Sequence, residues 1–81
     1  MEKIQSLDRF LSLVNKGKGY ICITDSTRRN KVHEISCNWI TKENFQTKVI
    51  TNNEKQGSYY WSEDRKVLLE EFKGSLCNSC E

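Results

Sequence analysis

Two stretches decide the fold of this chain: His33-Glu34-Ile35-Ser36-Cys37 and Cys77-Asn78-Ser79-Cys80. The first is a His-x3-Cys pair and the second is a Cys-x2-Cys pair. Zn²⁺ prefers four nitrogen or sulfur ligands in a tetrahedron, and two close pairs supply that set from distant parts of a chain at low entropic cost. The spacing therefore predicts one structural zinc ion, held by His33, Cys37, Cys77 and Cys80.

Other interpretations of the cysteines stay open at this point. They are a four-cysteine site that includes Cys22, disulfide bonds, and no metal at all. A redox pair of the thioredoxin kind begins a helix, whereas Cys77 and Cys80 follow a predicted helix end. Cys22 stands between Ile21 and Ile23 in a β-prone run, which favours a small buried thiol.

The composition predicts one small domain with a thin core. The chain has 81 residues, hydrophobic residues make up 36% of it, and alanine and proline are absent. A structural zinc ion contributes about 10–16 kcal/mol in small finger peptides, as much as the whole net stability of a typical domain. We therefore expect residues 1–81 to form a single domain whose folding depends on the metal.

Charge and hydropathy limit the location and the partners. The formal net charge is +2, and lysine and arginine are concentrated in residues 1–31. No apolar run approaches the roughly 18 residues that span a membrane, and residues 1–17 lack the apolar centre of a secretory leader. We expect a cytoplasmic protein with reduced cysteines and with neither a membrane partner nor a small-molecule substrate.

Apolar periodicity and turn residues predict an α+β fold, a short antiparallel sheet with two or three helices. Residues 1–17 form the first unit, an amphipathic helix over residues 3–16 that Gly17 ends. Residues 19–24 and 31–35 are β-prone and are separated by turn residues, so we expect a hairpin.

The second half of the chain predicts further helices around an aromatic strand. Thr41 is a good N-cap for a helix that reaches Val49. The strand covers residues 58–61, and Ser62 is expected to cap a helix that extends to Phe72. The apolar face of this helix is predicted to consist of Val67, Leu68, Leu69 and Phe72, and Gly74 to end it.

The order of these parts resembles a known zinc module that covers residues 31–80. A His/Cys-x3-Cys pair, an aromatic strand, an acidic-capped helix, a glycine and Cys-x2-Cys are similar to the Ada-like domain. This is the zinc-binding amino-terminal domain of the adaptive-response DNA methylphosphotriester repair protein. The resemblance implies a small zinc fold that binds DNA. The matching positions are His33, Cys37, Tyr59-Tyr60-Trp61, Ser62 to Phe72, Gly74, Cys77 and Cys80.

One departure from that family concerns catalysis. The family's first ligand is the cysteine that accepts the methyl group, and here that position is His33. A zinc-bound imidazole lacks the nucleophilicity of a thiolate, so we expect no methyl transfer. Four protein ligands also leave no open position on the metal. We expect the protein not to be an enzyme.

Basic and aromatic residues favour a nucleic acid, DNA above all, as the partner. Arg28, Arg29 and Lys31 precede the first ligand pair and would contact phosphates. A protein-interaction adaptor that uses the amphipathic helix is the alternative. High salt weakens the first kind of binding and spares the second. The candidates for stacking on bases are Trp39, Tyr59 and Tyr60.

Overall fold

The computed structural model describes residues 1–24, 30–51, 53, 55, 57–72 and 75–76. These residues form helices on both faces of a five-stranded sheet, which confirms the α+β fold class. The stabilisation of this fold by zinc stays a prediction. The helices are α1 (Leu7–Lys16), α2 (Lys42–Phe45), which continues as a π-helix over Gln46–Thr51, and α3 (Arg65–Phe72). The strands are β1 (Glu2–Ile4), β2 (Tyr20–Ile23), β3 (Lys31–Glu34), β4 (Tyr59–Ser62) and β5 (Ser75–Leu76).

The strand order explains why helices cover both faces. The order is β1-β4-β2-β3-β5, and every neighbouring pair is antiparallel except β3 with β5. Thus β1 and β2 are parallel and joined through α1, and β4 and β5 are parallel and joined through α3. Such crossovers are nearly always right-handed. The strand β1 is antiparallel to β4, but both connections cross the sheet in the same direction, from the β1 edge toward the β5 edge. Two right-handed connections of this kind place their helices on opposite faces, and α1 and α3 do lie on opposite faces.

The larger core lies between the sheet and the helices α1 and α2. Phe10 of α1 stacks on Phe45 of α2 with ring centroids 4.5 Å apart, and each packs against the ring of Tyr59 in β4 in a T-shaped arrangement. These offset and edge-on arrangements are the ones that aromatic rings prefer. This core joins residues of the 1–17 segment to described residues of the 31–80 segment. Its other buried members are Ile4, Leu13, Ile21, Ile35, Cys37, Ile40 and Val49.

A smaller core lies on the opposite face, beneath α3. Leu68 is fully buried there against Cys22 of β2 and Val32 of β3. Nearby, the rings of Tyr60 and Phe72 pack with their centroids 4.5 Å apart. The alternation of side chains along β2 and β4 therefore serves two cores, one on each face.

The amino-terminal helix is shorter than predicted, because its first residues form β1. Those residues gain backbone hydrogen bonds from β4, and the guanidinium of Arg9 binds the carboxylate of Glu2 with two contacts of 2.6 and 2.7 Å. The helix begins instead after Ser6, whose side chain accepts the Arg9 backbone N–H. Its end is as predicted, with Gly17 at φ 65° donating its N–H to the carbonyl of Val14.

The start of the last helix also differs from the prediction. Ser62 is the final residue of β4, and α3 begins at Arg65. Asp64 caps the helix, since its carboxylate accepts the Lys66 backbone N–H at 2.9 Å. The predicted apolar face was wrong at Val67, which is 41% exposed. Gly74, the predicted helix end, lies outside the described residues.

Two predicted features are confirmed in the middle of the chain. The strands β2 and β3 pair antiparallel as a hairpin. Thr41 caps α2, accepting the Asn44 backbone N–H at 3.1 Å, and both Phe45 and Val49 are buried. Within the part of the chain that the structure describes, no helix has the length and apolar character needed to cross a membrane.

The two neighbouring residues of α3 give a test of this packing. Leu68→Ala removes a fully buried side chain and should lower the free energy of unfolding by about 2–5 kcal/mol. Val67→Ala, its matched control, should change it by less than about 1 kcal/mol, because Val67 is largely exposed. Urea unfolding of both variants, in the same metal and redox state, measures the difference. Equal losses would contradict the orientation of α3.

Candidate metal centre

The first ligand pair lies at the carboxyl end of β3 and in the bend that follows it. His33 pairs directly with Ile21 of β2, so the two side chains share the face covered by α1 and α2. After the strand, the backbone N–H of Cys37 donates to the carbonyl of Glu34 at 2.9 Å, which turns the chain back. Cys37 belongs to the core on that same face. The strand and the bend therefore bring both predicted ligands to one side of the sheet.

The His33 and Cys37 side chains are in contact and withdrawn from solvent. Nδ1 of His33 lies 3.6 Å from Sγ of Cys37, and the two residues are 5% and 6% exposed. Burial lowers the pKa of His33 to about 4, and the positive charge of Lys31 acts in the same direction. At neutral pH the imidazole is therefore neutral, which is the form that binds metals.

Cys37 differs from Cys22 in its covalent state. Its sulfur is disulfide-bonded, whereas Cys22 is a free thiol. A sulfur binds zinc only as a thiolate. The predicted zinc site and this disulfide are thus alternative states of the Cys37 sulfur, and the zinc state requires reduction.

The second ligand pair, Cys77 and Cys80, lies outside the described residues. The strand that precedes it, β5, is described. In β5, Leu76 pairs with Val32 of the parallel strand β3. Val32 is the residue before His33, and Leu76 is the residue before Cys77. Upstream, the side chain of Asn30 donates to the carbonyl of Phe72 at 3.0 Å, which holds the end of α3 beside the start of β3.

Sequence reasoning missed β5 altogether. The strand has only two residues, Ser75 and Leu76, and follows directly on a helix. Periodicity needs at least four residues to indicate a strand. The predicted zinc site was the one indication of this strand. A Cys-x2-Cys pair that shares a metal with residues of β3 must be brought close to β3 by the residues that precede it.

No group of three or more histidine, cysteine, aspartate or glutamate side chains forms a metal site among the described residues. That finding covers only two of the four predicted ligands. Zinc is therefore neither supported nor excluded by it, and the metal stays a prediction.

Cys22 lies on the wrong face to be a ligand together with His33. It pairs with Val32 of β3 and Tyr60 of β4 and belongs to the core beneath α3. The sheet itself separates it from Cys37. The four-cysteine alternative that includes Cys22 is therefore wrong, and the predicted role as a buried thiol is confirmed.

The candidate nucleic-acid residues are distributed unevenly. Arg28 and Arg29 lie outside the described residues, and Lys31 is an exposed residue at the start of β3. Tyr59 is buried in the core, and Tyr60 packs on Phe72. Of the three predicted stacking residues, Trp39 has the accessible ring, with 54% of the residue exposed.

The backbone around Trp39 is held by hydrogen bonds. Its carbonyl accepts the Thr41 backbone N–H at 3.0 Å and the Asn44 side-chain amide at 3.1 Å. The preceding Cys37 carbonyl accepts the Ile40 N–H, and both Cys37 and Ile40 are buried. Trp39 therefore stands on a fixed turn immediately after the first ligand pair.

Comparisons with known proteins add no relative to this picture. No family model matches the chain, and neither a curated protein nor a solved structure does. The resemblance to the Ada-like domain therefore stays a prediction that depends on the ligand pattern and the order of elements.

The buried position of Cys22 gives a prediction for thiol chemistry. Burial raises the pKa of its thiol to about 12, so at pH 8 the thiolate is scarce as well as inaccessible. In the folded, disulfide-reduced protein we expect Cys22 to react with an alkylating reagent far more slowly than after unfolding in urea. Mass spectrometry of timed samples identifies the modified residue. Labelling of Cys22 at the same rate in both states would contradict its position in the core.

Proposed function

We propose that this protein is a non-enzymatic zinc module that binds nucleic acid at the surface around its metal site. One structural Zn²⁺ would be held by His33, Cys37, Cys77 and Cys80. The observation that carries the proposal is the parallel register of β3 and β5, in which Leu76 stands opposite Val32. Chain connectivity then limits how far Cys77 can lie from His33, because consecutive Cα atoms are about 3.8 Å apart.

The chemistry of the described pair fits zinc. A neutral imidazole and, after reduction of the disulfide, a cysteine thiolate are two of the ligands that structural zinc takes, and both residues are buried here. Four protein ligands would complete the shell, so the ion would crosslink β3 to the end of the chain and would activate no water. A crosslink between distant segments suits a chain with so few hydrophobic residues.

Metal content and folding test the zinc site. Purified, reduced protein should contain one zinc ion per chain, and removal by a chelator should abolish much of its circular dichroism. His33→Ala should bind little zinc, because it removes one of four ligands. Cys22→Ala should keep the metal, because Cys22 faces the opposite core.

A rescue variant separates a lost ligand from a damaged core. His33→Cys restores a zinc ligand without restoring the shape of the imidazole, so we expect it to bind zinc where His33→Ala does not. Absence of zinc from the reduced wild-type protein would refute the proposal. Zinc retained by His33→Ala but lost from Cys22→Ala would refute the ligand assignment.

Trp39 and Lys31 support nucleic acid as the partner. They flank the described ligand pair along the chain, and both are exposed. An accessible indole offers a surface on which an unpaired base stacks, worth roughly 1–3 kcal/mol per base. Lysine near a strand end supplies the phosphate contact that makes such binding sensitive to salt.

Tryptophan fluorescence tests this interface, because the chain has only two tryptophans. In Trp61→Phe, Trp39 is the sole indole, and single-stranded DNA should quench it in a saturable way. The affinity should fall as salt rises. Trp39→Ala, with binding followed by the anisotropy of a labelled strand, should weaken binding by the roughly 1–3 kcal/mol of a lost stacked base. An unchanged Trp39 signal, or binding indifferent to salt, would contradict the nucleic-acid proposal and leave the metal proposal intact.

The adaptor alternative has less support. It requires the apolar stripe of α1 as a docking surface, but Phe10 and Leu13 on that stripe are buried in the protein's own core. Leu7, Leu11 and Val14 pack against the same core. This helix is therefore occupied within the fold, and we do not propose it as the binding surface.

A further inference from the structure

We propose that His33 binds the metal through Nδ1 and not through Nε2, an inference that rests on the zinc site proposed above. Sequence alone leaves the two ring nitrogens equivalent, since either can be a ligand. The bend after β3 distinguishes them, because Nδ1 is the ring nitrogen in contact with the Cys37 sulfur.

The observed separation matches that of two ligand atoms on one zinc ion. Zinc–sulfur bonds are about 2.3 Å, zinc–imidazole bonds are about 2.0–2.1 Å, and the structural geometry is tetrahedral. Those values put the nitrogen and the sulfur about 3.6 Å apart. Nδ1 of His33 and Sγ of Cys37 are 3.6 Å apart. With the Cys37 sulfur in its disulfide-bonded state, the pair thus has the spacing of one edge of the tetrahedron, and we expect the reduced sulfur to keep it.

The backbone on both sides keeps this edge in place. His33 is held in register with Ile21 by the β2–β3 ladder, and Cys37 is held by the hydrogen bond from its N–H to Glu34. The two nitrogens of an imidazole ring point in different directions, so presenting Nε2 to a metal beside Cys37 would require the ring to turn. His33 as a residue is only 5% exposed, so a turned ring would have to fit within a closely packed interior.

Coordination through Nδ1 also determines the tautomer. The proton then resides on Nε2, which becomes a hydrogen-bond donor. A second ring N–H that donates to a carbonyl, a carboxylate or water is the usual arrangement around a metal-bound histidine. His33 would thus be oriented from both sides, by the metal at Nδ1 and by an acceptor at Nε2.

Nuclear magnetic resonance of a cadmium-loaded sample tests the assignment. Cadmium replaces zinc in sulfur and nitrogen sites, and its spin-active isotope couples to the nuclei of its ligands. The protein is reduced, labelled at the histidine nitrogens and loaded with cadmium; His33 is the sole histidine, so each ring signal is assigned without ambiguity. The nitrogens are distinguished by their couplings to the two carbon-bound ring protons. The matched control is Cys22→Ala, which should give the same spectrum.

The outcomes separate this inference from the proposal beneath it. Cadmium coupling at Nδ1, with a proton on Nε2, is the expected result. Coupling at Nε2 would overturn the inference and leave the zinc site standing. Cadmium bound with no coupling to either nitrogen would overturn both the inference and the assignment of His33 as a ligand. No cadmium bound to the reduced protein would refute the zinc site itself.

Discussion

The register of β2 between β3 and β4 is the constraint on which the rest of the structure depends. Both faces of β2 are covered, so its side chains serve two cores alternately: Ile21 points to α1 and α2, and Cys22 points to α3. A shift of the pairing by one residue would move every side chain of β2 to the opposite face of the sheet, so that Ile21 would point to α3 and Cys22 to α1 and α2. The same register sets the face of His33, because His33 lies opposite Ile21.

The pairing of β2 with β3 also determines the geometry of the candidate metal site. The bend after β3 returns Cys37 to the face that His33 occupies, and the parallel strand β5 reaches Val32 from the other side. Two segments far apart in the sequence thus approach one end of one strand. A metal at that point would tie together the sheet edge, which otherwise depends on a two-residue strand. This explains in physical terms why a chain with a small core would use a metal.

Local signals predicted the fold well where local interactions determine the structure. Gly17 ends α1 because the left-handed backbone conformation costs glycine little free energy. Thr41 caps α2 because its hydroxyl accepts a backbone N–H that has no partner within the helix. Predictions were wrong where a distant partner competes. Residues 3 and 4 continue the helical pattern, but pairing with β4 makes them a strand. Ser62 is a good cap, yet β4 extends through it, and Asp64 takes that role.

The candidate site divides in the same way. The His-x3-Cys and Cys-x2-Cys spacings are properties of the sequence, and they alone suggest zinc and the four ligands. The tertiary structure excluded Cys22 from the predicted ligand set, because the sheet separates Cys22 from Cys37. The tertiary structure also decided which aromatic residue is accessible for stacking on a base, among Trp39, Tyr59 and Tyr60. An aromatic residue can lie in a core or on a surface, and the neighbouring sequence does not distinguish the two.

The sequence by itself determined the fold class, the hairpin and the cap residues Gly17 and Thr41, and it supplied the residue types of the predicted zinc site. All of these depend on side-chain chemistry and on spacings of a few residues. The tertiary structure decided the order of the strands, the opposite placement of α1 and α3, and the contact of Nδ1 with Sγ. These depend on which distant segments pair and on the handedness of their connections, and that information appears only when the whole chain is packed.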